Sequence, residues 1–324
     1  MRTRRVVRWV KRPGIAVGLG LLMVGSAVSA VSAVPAAGRA FGASNRVVAT
    51  IHLGKTSNAI AVGAGAVWVS QGGEGFFDSV TRIALSTNRV TGTIPVDGGV
   101  GSIGAGPGQV WVTNTTRFTM VRIDPSTLAT WPGPPLEGTG GVLAVGEGAV
   151  WVTLDAAHTS VDRVDPSTGV AASVADLGPG TSAIAIGGGS VWVGNSVDAA
   201  VASINPTTNE LSPSVQGLHP AGIAVGAGGV WVADTQDGTV SRIDPAAGRV
   251  TATISVDGLG GGIAIAGGAV WVNNPTNGTV LRINPRSGRV SATIRAISSG
   301  NQLAGAGNSV WVAGSDNAVR RIAA

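Results

Sequence analysis

The stretch Gly222–Ile254, GIAVGAGGVWVADTQDGTVSRIDPAAGRVTATI, reads as four short strands joined by three turns. Gly222-Ile223-Ala224-Val225 is a short apolar run. The glycine-rich Gly226-Ala227-Gly228-Gly229 makes a tight turn, where glycine takes positive φ at little cost. Val230-Trp231-Val232-Ala233 is the second strand, and Asp234 to Gly238 form a polar loop. Thr239-Val240-Ser241-Arg242-Ile243 is the third strand. Asp244-Pro245-Ala246-Ala247-Gly248 then turns the chain: Asp bonds the backbone ahead, Pro presets φ, and Gly accepts a left-handed position. Arg249-Val250-Thr251-Ala252-Thr253-Ile254 completes the unit.

The unit recurs. Val-Trp-Val is centred on Trp68, Trp111, Trp151, Trp192, Trp231, Trp271 and Trp311, at spacings of 43, 40, 41, 39, 40 and 40 residues. Only Trp9 and Trp131 lie outside this register. A four-stranded sheet of this kind cannot bury both faces alone, so each unit needs a neighbour on either side. The expected fold is all-β, a seven-bladed β-propeller of four-stranded antiparallel blades. Alanine and glycine suit the crowded axis, and the indoles fill the space between blades. The last unit stops at its third strand, Val319-Arg320-Arg321-Ile322, while Arg46-Val47-Val48-Ala49-Thr50-Ile51 near the start matches Arg249–Ile254. The N-terminal strand is therefore expected to complete the last blade and close the ring, hiding an edge.

Composition narrows the function classes. The chain has 324 residues, 51 of them glycine, and no cysteine or tyrosine. Disulfides, thiol nucleophiles and cysteine metal sites are excluded. Six of the 22 basic residues lie between Arg2 and Arg12, leaving 16 against all 17 acids and a net charge of −1 over residues 13–324. No nucleic-acid partner is expected from such a balance. The basic stretch, the apolar Ile15–Val24 and the small residues around Ala30 and Ala33 read as an export signal. Residues 1–33 are taken as a signal peptide, 34–45 as a linker and 46–324 as the propeller. The competing reading is an uncleaved anchor over residues 15–34, which would be the only contact with a membrane. A secreted or extracytoplasmic monomer is expected.

The unit resembles the YVTN-repeat, YncE-like propeller family through Gly222–Val225, Val230–Asp234, Val240–Asp244 and Val250–Ile254. That resemblance covers residues 46–324 and implies an exported binding or scaffold protein. The unit is also similar to streptogramin (virginiamycin B) lyases, which implies a magnesium ion held by histidine and glutamate on the central face. Lyase repeats tend to carry glutamate three residues after the tryptophan. Gln71, Asn114, Leu154, Asn195, Asp234, Asn274 and Gly314 occupy those positions here.

Loops joining second to third strands, and fourth strands to the next blade, share one face, where function usually resides. His52, His158 and His219 are placed there as candidate general bases. Asn114, Asn195, Asp234 and Asn274 form a candidate ring of oxygen ligands for calcium or magnesium, as in lactonase-type propellers; the alternative is that they turn the chain. No cofactor is otherwise expected. Phe76, Phe77 and Phe118 fall in loops of adjacent blades, flanked by Glu74, Asp78 and Arg117. The loop carrying Phe76 and Phe77 is expected to run from Gln71 to Ser79. An aromatic patch rimmed by charge is a candidate site for a protein or small-molecule ligand. The alternative is that the rings cap a gap between blades. Two functions follow: a non-catalytic exported binding or scaffold propeller, or a metal-dependent lyase or lactonase acting at the central funnel.

Overall fold

The computed structural model describes residues 45–72, 77–155, 159–296 and 302–324. Seven four-stranded antiparallel sheets stand in a ring. Blades one to six run over residues 56–97, 100–135, 139–176, 181–216, 220–255 and 263–295. Blade seven combines 302–323 with the N-terminal strand Arg46–His52. The innermost strand of each blade touches that of the next, including the contact from blade seven back to blade one. Among the described residues no helix is long and apolar enough to cross a membrane.

Blade five shows how the sequence dictates this arrangement. Its strands are Pro220–Gly226, Gly229–Asp234, Thr239–Asp244 and Arg249–Ser255. The first two are joined by Ala227 at φ 48° and Gly228 at φ 83°, the paired positive angles of a turn whose twist matches the flanking strands. The second strand is buried throughout, the third mixes buried and half-buried residues, and the outer strand Arg249–Ser255 alternates exposed and half-buried ones. Inner strands have neighbours on both faces; outer strands reach the rim.

The core lies between blades. Trp68, Val80 and Ile94 of blade one pack on Ile103, Val110 and Ile123 of blade two. Trp231 of blade five likewise packs with Ile263, Val270 and Ile283 of blade six. The repeat tryptophans Trp68, Trp151, Trp231 and Trp271 donate their indole N–H to the carbonyl five residues earlier, at 3.0–3.2 Å. The arginine directly across on the third strand lies over the indole face in blades one, three, five, six and seven, its guanidinium carbon 5.5–5.9 Å from the ring centre. Arg82, Arg163, Arg242, Arg282 and Arg321 thus form a cation–π stack in register with the fold.

Closure follows the expected route. Arg46–His52 pairs antiparallel with Ala318–Ala323, Arg46 opposite Ala323 and His52 opposite Ala318. Ile51 packs beside Trp311 and Val319 of blade seven in a core shared with Ile60 and Val67 of blade one. Arg321 then reaches across to blade one, donating to the Leu85 carbonyl at 3.1 Å and to Asn88 Oδ1 at 3.0 Å.

Candidate ligand face

The loop face is built from short connections clipped to one another. Asn114 Nδ2 donates to the Asp97 carbonyl at 2.8 Å while its Oδ1 accepts the Arg117 N–H at 3.0 Å. Asn195 repeats this with the Leu177 carbonyl at 2.7 Å and the N–H groups of Val197 and Asp198. Asn274 does so with the Asp257 carbonyl at 2.6 Å and the Asn277 N–H at 3.1 Å. Each amide ties its own loop to the chain arriving from the previous blade. The oxygens considered as cation ligands are therefore engaged by backbone N–H groups of their own loops, the turn-forming role of Asn. In blade one Gln71 makes the same kind of tie, donating to the Lys55 carbonyl at 3.1 Å.

Blade five departs from this pattern. Asp234 Oδ1 accepts the N–H groups of Gln236 and Asp237 at 3.1 and 2.9 Å, as the asparagines do. A carboxylate has no hydrogen to donate, so the second oxygen instead accepts the His219 N–H at 2.7 Å. His219 Nδ1 lies 3.5 Å from Asp234 Oδ2 and 3.9 Å from Asp237 Oδ2. Two residues named separately from the sequence are thereby brought together, and Asp237 joins them. The sequence signal for Asp237 was weak: one acid in a polar loop, distinguished only by following the one carboxylate in the Asn114–Asn195–Asn274 series.

The aromatic sector changes in outline. The second strand of blade one extends to Gly72 and the third begins at Phe77, with Gln71 opposite Ser79. Strand residues thus occupy both ends of the expected loop from Gln71 to Ser79. Asp78 does not flank an open patch; it is buried, and its Oδ2 accepts the Val100 N–H of blade two at 2.7 Å. Glu74, Phe76 and His158 lie outside the described residues. Arg117 is exposed and ion-paired with Asp97. His52 is the exposed last residue of the closing strand and no loop residue.

Phe118 is 47% exposed and held at φ 51°. The same place, one residue before the third strand, is Ala199, Gly238, Gly278 and Asn317 in blades four to seven, all at positive φ. A bulky aromatic is an outlier in that conformation, whereas glycine and asparagine occupy it readily.

No protein-family model matches the sequence, and no curated protein matches it. Among solved structures, virginiamycin B lyase from Staphylococcus aureus is similar with a TM-score of 0.72 and 16% identity, covering 85% of this chain and 98% of that one. BamB from Moraxella catarrhalis gives 0.60 and 13%, covering 86% and 99%. The computationally designed Ika8 protein gives 0.62 and 12%, covering 87% and 100%. The seven blades are counted in this chain's own sheets; the likeness to a lyase, BamB and a designed protein is one of fold and establishes no activity.

Proposed function

We propose that the protein is an exported, non-catalytic binding or scaffold propeller of the YncE-like type, which takes a ligand or protein partner on its loop face beside Phe118. One observation carries this reading: a large aromatic ring is kept half-exposed at a backbone position where the sister blades carry Ala199, Gly238, Gly278 and Asn317. Strain of that kind at an exposed ring is a cost without a structural return, and such costs concentrate where recognition occurs. The N-terminal pattern of basic, apolar and small residues supports export.

The test pairs binding with stability. Wild-type protein and Phe118→Gly are screened against the same glycan and peptide arrays, and hits are quantified by calorimetry. Removing an anchoring ring is expected to cost about 2 kcal/mol, roughly thirty-fold in affinity. Unfolding stability should hold or rise, since glycine suits the left-handed position. A stability loss of about 3–5 kcal/mol, as for a truncated buried aromatic, would instead make Phe118 a structural cap. Binding indifferent to Phe118→Gly would also end the proposal.

A metal-assisted lyase or lactonase is the second reading, favoured by the cluster of His219, Asp234 and Asp237 on the same face. Turnover of a streptogramin or a lactone by the purified protein, abolished by chelation, would establish it over the first.

A further inference from the structure

We propose that His219, Asp234 and Asp237 form a binding site for one divalent transition-metal ion of the zinc class, closing the loops of blade five. The inference goes beyond the binding reading and holds whether or not Phe118 touches a partner.

The repeats act as an internal control. In blades two, four and six the corresponding clip is an amide that donates to a main-chain carbonyl. Only Asp234 in that series is a carboxylate, and it is the one that meets an imidazole. Its second contact is a backbone N–H where the sister amides meet a carbonyl, so the carboxylate accepts where they donate. The exchange adds a negative charge and further lone pairs at a place with no arginine or lysine in the cluster.

The geometry suits an ion. One ligand atom from each of the three residues can be chosen so that all lie within 4.8 Å of one another. Atoms bound to one zinc ion at about 2.0–2.2 Å stand roughly 3.3–3.6 Å apart. His219 Nδ1 is 3.5 Å from Asp234 Oδ2 and 3.9 Å from Asp237 Oδ2, so small side-chain adjustment suffices. Those separations exceed a hydrogen bond, and among the described residues His219 Nδ1 is buried with no hydrogen-bond partner. A buried nitrogen left unsatisfied is costly, and coordination would satisfy it. The Asp234 side chain is 1% exposed and that of Asp237 55%, so protein covers one side of the site and water can complete the coordination on the other. A set of one imidazole and two carboxylates suits zinc, cobalt, nickel or manganese; calcium wants six or more oxygens.

The full chain without an affinity tag, stripped with chelator and dialysed, is titrated with Zn²⁺ and separately with Ca²⁺. One equivalent of Zn²⁺ should bind, with Ca²⁺ failing to compete at hundredfold excess. His219→Ala and Asp237→Asn should each weaken Zn²⁺ binding at least about tenfold, while metal-free melting temperatures stay at the wild-type value. Co²⁺ should give the visible absorption of a tetrahedral site in wild type and lose it in His219→Ala. Absence of stoichiometric Zn²⁺ binding at 100 µM concentrations (on the order of weak surface association) would overturn the proposal. So would Zn²⁺ binding unchanged by both His219→Ala and Asp237→Asn.

Discussion

Asp124 and Asp165 sit at the start of Asp-Pro turns, each accepting a hydroxyl and two backbone N–H groups from the two residues after the proline. The hydroxyl bonds from Ser126 and Ser167 lead in lowering both carboxyl groups from 3.8 to about 2. Because the folded value lies below the ordinary one, these bonds contribute fully above about pH 4 and are lost as pH falls towards 2. Asn205 and Asn284 hold the equivalent turns in blades four and six, so asparagine fits there without a charge. The double variant Asp124→Asn, Asp165→Asn should therefore be folded at pH 7 and lose less stability between pH 4 and 2. Urea midpoints measured across that range check this; an unchanged acid slope would contradict it. The same scale explains the arginines two residues before these turns. The strand register puts Arg242 opposite Trp231, where it stacks on the indole. In blade two the pattern shifts: Arg122 lies over the exposed Trp131 of the outer strand, 5.6 Å from its ring centre.

Hairpins between first and second strands show what element-level chemistry demands. Glu147 at φ 49° and Gly148 at φ 74° form the two-residue turn of blade three. Asn-Gly is the favoured pair for that geometry, and a glutamate there bears the left-handed penalty. Glu147→Asn should raise stability by about 1 kcal/mol, seen as a higher denaturant midpoint at unchanged slope. Much of this level was legible in the sequence. Glycine turns and apolar runs located the strands of blade five to within two residues at each end, because local chemistry and tertiary pairing agree there. Gln71–Ser79 was misjudged because a glycine-rich, polar segment carries no pairing information; the ladder to Ser79 is decided by the neighbouring strand. The candidate site was only half legible. His219 and Asp234 are conspicuous residue types, but their meeting depends on how the chain enters blade five, 15 residues apart in sequence and joined through a main-chain bond. Asp78 misled for the same reason, since nothing local says that its carboxylate turns towards Val100 of the next blade.

The ring as a whole depends on one strand at its seam. Without residues 46–52, Ala318–Ala323 becomes an open edge, and the apolar contact of Ile51 with Trp311 and Val319 is lost. An exposed edge of that kind recruits other chains. A variant lacking residues 1–52 should aggregate or unfold at lower denaturant than one lacking only residues 1–44; equal midpoints for the two would show that the seam is dispensable. The seam also fixes an orientation. Arg46 stands opposite Ala323, on the side of the Asp-Pro turns, and the strand climbs from there to His52 on the loop face. Both ends of the folded ring therefore emerge on the side away from Phe118 and His219. Any tether placed before residue 45 or after Ala324, a bead, a sensor chip or a fused domain, would hold the ring by its back and leave the loop face turned outward to sample the solution.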